Sequence, residues 1–261
     1  MTMIICRNLD KKDSIISIDE WFQKCPPVKG LEQWVDGRSA KELAKYWCND
    51  ISTTPIELKA LLEKHKDFTD IQIDIGSPEY ETRFDQFGKG RIHDLLLIGE
   101  QNKSRVIIGI EAKVDESFGN NTVKDYYLKS ILKRVNGEGT NAPNRIEQLL
   151  TALFWKPITL KILDIMYQLA HSTAGLLAES KKQSVKKALF IVNNFVTENT
   201  NKIRKKENLA HLNYFVKNIS DNKYNRIDDD RIIGPLRVPG NDYIPSNVDL
   251  YIGKFDIFLH D

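Results

Sequence analysis

Three charged residues sit where an apolar hairpin is expected. Asp94 follows Ile92-His93 and precedes the apolar run Leu95-Leu96-Leu97-Ile98. Glu111 stands seventeen residues after Asp94, at the end of Val106-Ile107-Ile108-Gly109-Ile110, and Ala112-Lys113 follows it. Charged side chains are rarely buried without partners, so two carboxylates and a lysine on such strands need a reason. A divalent cation supplies one. Mg²⁺ takes oxygen ligands from one or two carboxylates, keeps several waters and completes its shell with substrate phosphate. A cation held in this way lowers the pKa of bound water and neutralises charge developing on a phosphate. A neighbouring lysine can orient the attacking water or stabilise the transition state. These are the parts of phosphodiester hydrolysis.

The elements that must position the trio can be argued from parity. Gly99, Asn102 and Ser104 supply turn chemistry between two β-rich runs, about 91–98 and 105–114. A hairpin centred near Gln101–Lys103 pairs residues whose numbers sum to about 205, which sets Asp94 opposite Glu111 or one diagonal step away. Glu111 and Lys113 are two apart and share a strand face. A slip of one residue would turn Asp94 to the wrong face. The plainer reading is a hairpin whose end reaches solvent, with Glu111 and Lys113 as a surface ion pair worth little.

The pattern of Asp94, then Glu111-Ala112-Lys113 on the next strand, resembles the PD-(D/E)XK nuclease superfamily; His93 stands where that pattern often has Pro. The resemblance implies an α/β fold of restriction-endonuclease-like architecture, with an αβββαβ core and a mixed sheet flanked by helices. That core would cover about 55–195 of a single domain spanning 1–261, with a helical N-terminal addition (1–54) and a C-terminal addition (196–261). It further implies Mg²⁺ or Mn²⁺ bound by Asp94, Glu111 and the backbone carbonyl of Ala112, with Lys113 assisting the water. The implied substrate is nucleic acid, DNA before RNA. The stretch Trp34 to Trp47 is similar to the N-terminal part of a little-characterised bacterial family with a nuclease-like core.

Enzymes of this kind often use a further upstream carboxylate. Glu81 is the first choice, since it neighbours the Arg83–Asp85 segment leading to the hairpin; Glu79 shares its parity if the strand is regular. Glu57 and Glu63 on the preceding helix are weaker candidates. Asp115 and Glu116 are read as orienting Lys113 or lining the metal site, or else as a polar loop after the strand. Arg145 and Gln148, three apart on one helix face, are placed where related nucleases aim a Gln or Arg at the site. Gln148 is the catalytic candidate of the two. Gly88-Lys89-Gly90-Arg91 is a basic loop able to approach a phosphate backbone, or an ordinary turn. His93 belongs to the opposite strand face and should point away from the metal.

The rest of the chain reads as alternating helices and strands. Helices are expected over Ala40–Trp47, capped by Ser39 with Glu42, and from Thr54-Pro55 to Lys64. Ile71–Ile75 and 79–84 read as strand, then 120–135, 144–155 and 160–178 as helices, 187–196 as strand and 201–216 as helix. Residues 1–35 and 220–247 read as irregular, and 250–259 as a final strand.

A net charge of +2 over 261 residues gives no global field for a polyanion, so nucleic-acid contact must come from local patches such as Lys181-Lys182, Lys186-Lys187 and Lys202 to Lys206. Three cysteines without metal spacing point to reduced thiols in a cytoplasm. No secretory leader or membrane span is read. Gly-x-Ser-x-Gly and paired-histidine zinc motifs are missing, which removes serine hydrolase and zinc protease readings. Two alternatives stay open: a catalytically silent nuclease-like domain that binds nucleic acid or a protein, and an enzyme acting on a smaller phosphate ester. A homodimer would suit double-strand cutting.

Overall fold

The computed structural model describes residues 3–198 and 200–259. Its strands are β1 (Ile4–Ile5), β2 (Gln72–Thr82), β3 (Arg91–Gln101), β4 (Ser104–Lys113), β5 (Lys187–Val196), β6 (Arg231–Leu236) and β7 (Asp249–Phe258). Its helices are α1 (Ile18–Lys24), α2 (Ser39–Cys48), α3 (Ile56–Glu63), α4 (Val123–Val135), α5 (Ala142–Leu153), α6 (Leu160–Leu163), α7 (Tyr167–Lys182) and α8 (Lys202–Ile219). The described strands form one mixed sheet in the order β1-β2-β3-β4-β5-β7-β6. β2, β3 and β4 are antiparallel neighbours, whereas β4, β5 and β7 run parallel. The protein is therefore α/β, with helices on both faces of the sheet. No described helix is long and apolar enough to cross a membrane.

The central strands are apolar on both sides because each face is covered. Leu95, Leu97, Ile108 and Ile110 pack with Trp21, Leu43, Trp47, Leu58 and Leu61 from α1, α2 and α3. Leu96, Ile98 and Ile107 pack with Leu149, Leu150, Leu176, Leu177 and Phe215 from α5, α7 and α8. Full burial of each such side chain contributes about 1.5–3 kcal/mol of transfer free energy.

Three departures from the sequence reading have local causes. The helix expected over 160–178 is two helices, α6 and α7. The Ile165 carbonyl between them accepts from the Val123 N–H (2.8 Å), so the backbone of the break seats the start of α4. Within 220–247 lies the strand β6, hidden from period counting by Gly234-Pro235. It pairs on one side only, with β7, at the sheet edge where proline is tolerated. Within 1–35 lie α1 and the two-residue β1, too short to display a period.

α7 approaches the sheet unusually closely at Gly175. A Cβ there would press into Thr82 Oγ1 and lie 3.2 Å from His93 Nε2. His93 is fully buried beneath it, and burial holds its imidazole uncharged, down to about 3. Thr82 Oγ1 donates to the Arg91 carbonyl (3.2 Å), so it accepts from His93 Nε2 at 3.2 Å. His93 thus packs the helix onto the sheet. Alanine favours a helix over glycine by about 1 kcal/mol, but overpacking costs about 1–3 kcal/mol. Gly175→Ala should therefore lower stability in urea unfolding; an unchanged or raised midpoint would show that α7 can retreat freely.

Candidate active site

The β3–β4 hairpin turns through Asn102 and Lys103, both in the left-handed region at φ 50° and 63°, as a two-residue hairpin loop demands. Its register pairs Gln101 with Ser104, Leu97 with Ile108 and Leu95 with Ile110. The ladder stops there. Beyond it β3 stays with β2, down to Thr82 and Arg91, and β4 stays with β5, up to Lys113 and Asn194. The sheet therefore forks, and the trio of charged residues lies in the fork. Asp94 bridges it, its Oδ2 accepting the Ala112 N–H at 2.7 Å.

Glu111 is 1% exposed and Lys113 6%, so they are not a surface ion pair. Glu111 Oε1 accepts from Lys113 Nζ (2.8 Å) and from Gln168 Nε2 on α7 (2.6 Å). Its Oε2 accepts from the Arg91 guanidinium and lies 3.4 Å from Ser172 Oγ. Burial alone would raise the proton affinity of Glu111, but Lys113 and Arg91 outweigh it and keep the carboxylate ionised. Lys113 is likewise desolvated, yet Glu111 and Asp94 raise its pKa, so it remains an ammonium. Its other neighbour is the Phe118 ring, 5.5 Å from Nζ.

A third carboxylate joins them, and it is Glu79. The register that pairs Pro78 with Leu95 and Tyr80 with His93 sets Glu79 across from Asp94. Glu79 has φ +47°, a conformation that side chains other than glycine seldom adopt. The alternation of faces breaks there. Ile75 packs on the α7 side, and so do Tyr80, whose hydroxyl donates to Glu179, and Thr82, five and seven residues on. β3 breaks in step, with His93 and Leu96 both on the α7 side. Glu79 and Asp94 sit at this joint break and, with Glu111, line one cleft of about 470 Å³. Burial, then the charge of Asp94, raises the pKa of Glu79; burial, then Glu111, raises that of Asp94. The carboxylates lining the cleft (Glu32, Glu79, Asp94, Glu111 and Glu116) outnumber its cations (Lys29, Arg38, Arg91 and Lys113) by one, an excess that a proton or a cation can neutralise.

Glu81, preferred from sequence, is exposed, paired with Arg83 (3.5 Å), and accepts the Gly90 N–H (2.8 Å). It does not line the cleft: nearness to the Arg83–Asp85 segment selected it, and the left-handed backbone at Glu79 breaks the shared parity that a regular strand would have given the two. Gln148 does not line it either; the glutamine that reaches Glu111 is Gln168. Arg145 pairs with Asp85 (2.7 Å), donates to the Lys89 carbonyl (2.8 Å) and stacks on Phe84, and so clamps the β2–β3 loop. Glu57 accepts from the Tyr46 hydroxyl (2.8 Å) away from the fork. Arg91 was part of a basic loop in sequence; its contact with Glu111 depends on the fork. Gln168 and Ser172 are spaced to share a helix face, but that face could be assigned only once α7 was separated from α6.

Glu116 lines the same cleft and has a structural task besides. α2 begins at Ser39 with Arg38 at its N-cap, not Ser39 as expected, and Glu42 reaches back to the Gly37 N–H (2.7 Å). Glu116 Oε1 accepts the Ser39 N–H (3.1 Å) and Oε2 the Val114 N–H (2.8 Å). A carboxylate from the loop after β4 thus caps the N-terminus of α2 and ties that helix to the site.

The fit to a divalent cation rests on donor chemistry. Carboxylate oxygens are its ligands, two suffice alongside water and phosphate, and the cleft carries the excess charge. Among the described residues no group of three or more His, Cys, Asp or Glu is close enough to hold a metal by itself. Ala112 is fully buried at the fork and does not line the cleft; its N–H is held by Asp94 Oδ2.

Two stability measurements check these electrostatics. Burial raises the pKa of Glu116, but the Val114 and Ser39 N–H groups outweigh that and lower it overall. Its stabilisation should be present above the ordinary carboxylate range and fade as pH falls through its depressed value. Glu116→Ala should cost about 1–2 kcal/mol near neutral pH, with the gap in Tm closing below about pH 4. Glu79 has the opposite sign: its raised pKa means that folding weakens as pH climbs between the unfolded and folded values. Glu79→Gln should raise Tm by about 2–4 °C near neutral pH, equivalent to about 1 kcal/mol, and by nothing at low pH. An equal shift at both ends would remove charge from the account.

Comparison with known proteins adds one fact. No curated protein matches the chain, and no solved structure does. Residues 14–257 match the model of a family described as a domain of unknown function, DUF6946. The chain belongs to that family.

Proposed function

We propose that this protein is a Mg²⁺- or Mn²⁺-dependent nuclease of restriction-endonuclease-like type, acting on DNA in preference to RNA. The observation that carries the reading is the fork: Asp94, Glu111 and Lys113 meet in one buried, charge-bearing cleft at the ends of two otherwise apolar strands. The order α3, β2, β3, β4 and, after the helices α4 to α7, β5 supports it, since it contains the core the motif implies with three helices added before α7. Asp94 and Glu111, with the Ala112 carbonyl, would hold the cation. When bound, that ion supplies water acidification and charge neutralisation on phosphate.

The chain's own residues account for the rest. Lys113, kept protonated, is a donor rather than a proton acceptor, and is placed to stabilise negative charge on a phosphate oxygen. Gln168 fixes the rotamer of Glu111. Lys29 and Arg38, exposed where they line the cleft, add two further cations for a phosphate backbone, Arg38 lying 3.4 Å from Asp115. The occupied oxygens of Glu111 favour one other reading, a silent nuclease-like domain that binds nucleic acid or a protein.

The test compares cleavage of single- and double-stranded DNA and RNA, with Mg²⁺ or Mn²⁺, by wild type, Glu111→Ala and Lys113→Ala. Metal-dependent cutting reduced about 100-fold or more in both variants is the expected result. A folded wild type that neither cuts nor binds Mn²⁺ through Glu111 would replace this reading with the silent one.

A further inference from the structure

The position of Arg91 adds a step to this picture. Arg91 opens β3 immediately after the β2–β3 loop, three residues before Asp94 on the same strand. Its side chain crosses the fork to β4. The guanidinium meets Glu111 Oε2, while its Nε donates to Ser172 Oγ at 2.8 Å. Arg91 is only 15% exposed at the side chain. Its backbone is fixed as well, since Arg145 clamps the loop before it and the Arg91 carbonyl accepts from Thr82 Oγ1. Glu111 Oε1 is filled by Lys113 (2.8 Å) and Gln168 (2.6 Å), whereas Oε2 holds Arg91 and only a longer 3.4 Å contact from Ser172 Oγ, so Oε2 is the oxygen more open to a metal once Arg91 leaves. One lone-pair direction cannot serve a guanidinium N–H and a cation together, and two cations there repel.

Resting on the metal-dependent reading above, we infer that Arg91 is an internal counter-ion which holds Glu111 Oε2 until a divalent cation displaces it. Glu111 Oε2 then keeps a cationic partner while the cleft holds no divalent cation. Displacement leaves the guanidinium, still anchored at Ser172, at the wall of the same cleft and free to grip an anionic group of the substrate. Arg91 is a positioning residue for Glu111, and Ser172 sets its place. A charge-assisted hydrogen bond that must be broken before binding weakens apparent cation affinity by about tenfold or more.

The test is Mn²⁺ titration calorimetry on the full chain, with thermal melting in EDTA and in Mn²⁺. Arg91→Gln should bind Mn²⁺ about tenfold more tightly than wild type, melt lower in EDTA, and gain more from Mn²⁺ on melting. Ser172→Ala, which removes the anchor but no charge, should shift affinity the same way by less; it also serves if Arg91→Gln folds poorly. Wild-type binding that depends on Asp94 and Glu111, with affinity unchanged or weakened in both variants, would overturn the role of Arg91 and leave the metal site standing. No Mn²⁺ binding by wild type or either folded variant would overturn both. Binding only once Arg91 is removed would support the displacement in its strongest form.

Discussion

A carboxylate buried at the end of an apolar strand has to be paired, and the pairing of Glu111 organises this protein. Lys113 comes from its own strand, Arg91 from β3 across the fork, Gln168 and Ser172 from α7 above. Three elements are thus held to one side chain. Removing a single partner of such a group typically costs more than the pair is worth, because the remaining charge stays buried. Stability alone does not call for this arrangement, since apolar residues of similar volume would often serve as well. Its presence in a cleft is an argument about chemistry.

The fork makes the cleft possible. A sheet that stayed closed would pair β3 with β4 past Leu95 and Ile110 and fill the space with ladder hydrogen bonds. Parting of the two halves exposes main chain that needs partners, and Asp94 supplies one to the Ala112 N–H. The left-handed residue Glu79 lets β2 and β3 turn over together, so their mutual register survives while their faces exchange. Strain of this kind costs about 1–3 kcal/mol and tends to persist at functional sites. Around it, His93 and Gly175 seat α7, Arg145 fixes the β2–β3 loop, and Glu116 joins α2 to the loop after β4. Each of these contacts restrains a segment that carries a cleft residue.

Much of this was legible in the chain. Strong periodicity and turn chemistry identified β3, β4, β5 and β7, and a turn near 101–103 gave the observed register, but the expected facing of Asp94 and Glu111 in that ladder is lost because it ends at Leu95 and Ile110 and the strands part. The α/β class followed from helices alternating with those strands. Short or interrupted elements were not legible. β1 has two residues, β6 contains Gly-Pro, and the break between α6 and α7 lies in an apolar run without a local stop signal.

The sequence by itself determined which residues had to be accounted for: Asp94, Glu111 and Lys113, because charge inside an apolar alternation is visible without coordinates. It determined that Glu111 and Lys113 share a face of β4, because period is a local property, but not the face of Asp94, where the alternation of β3 breaks. Only tertiary structure decided their partners. Glu79 rather than Glu81 enters the cleft because one backbone angle reverses the parity of β2. Gln168 rather than Gln148 reaches Glu111 because α7, not α5, covers the fork. Arg91 meets Glu111 because two strands part. Each of these depends on contacts between segments distant in the chain, and no local pattern encodes them.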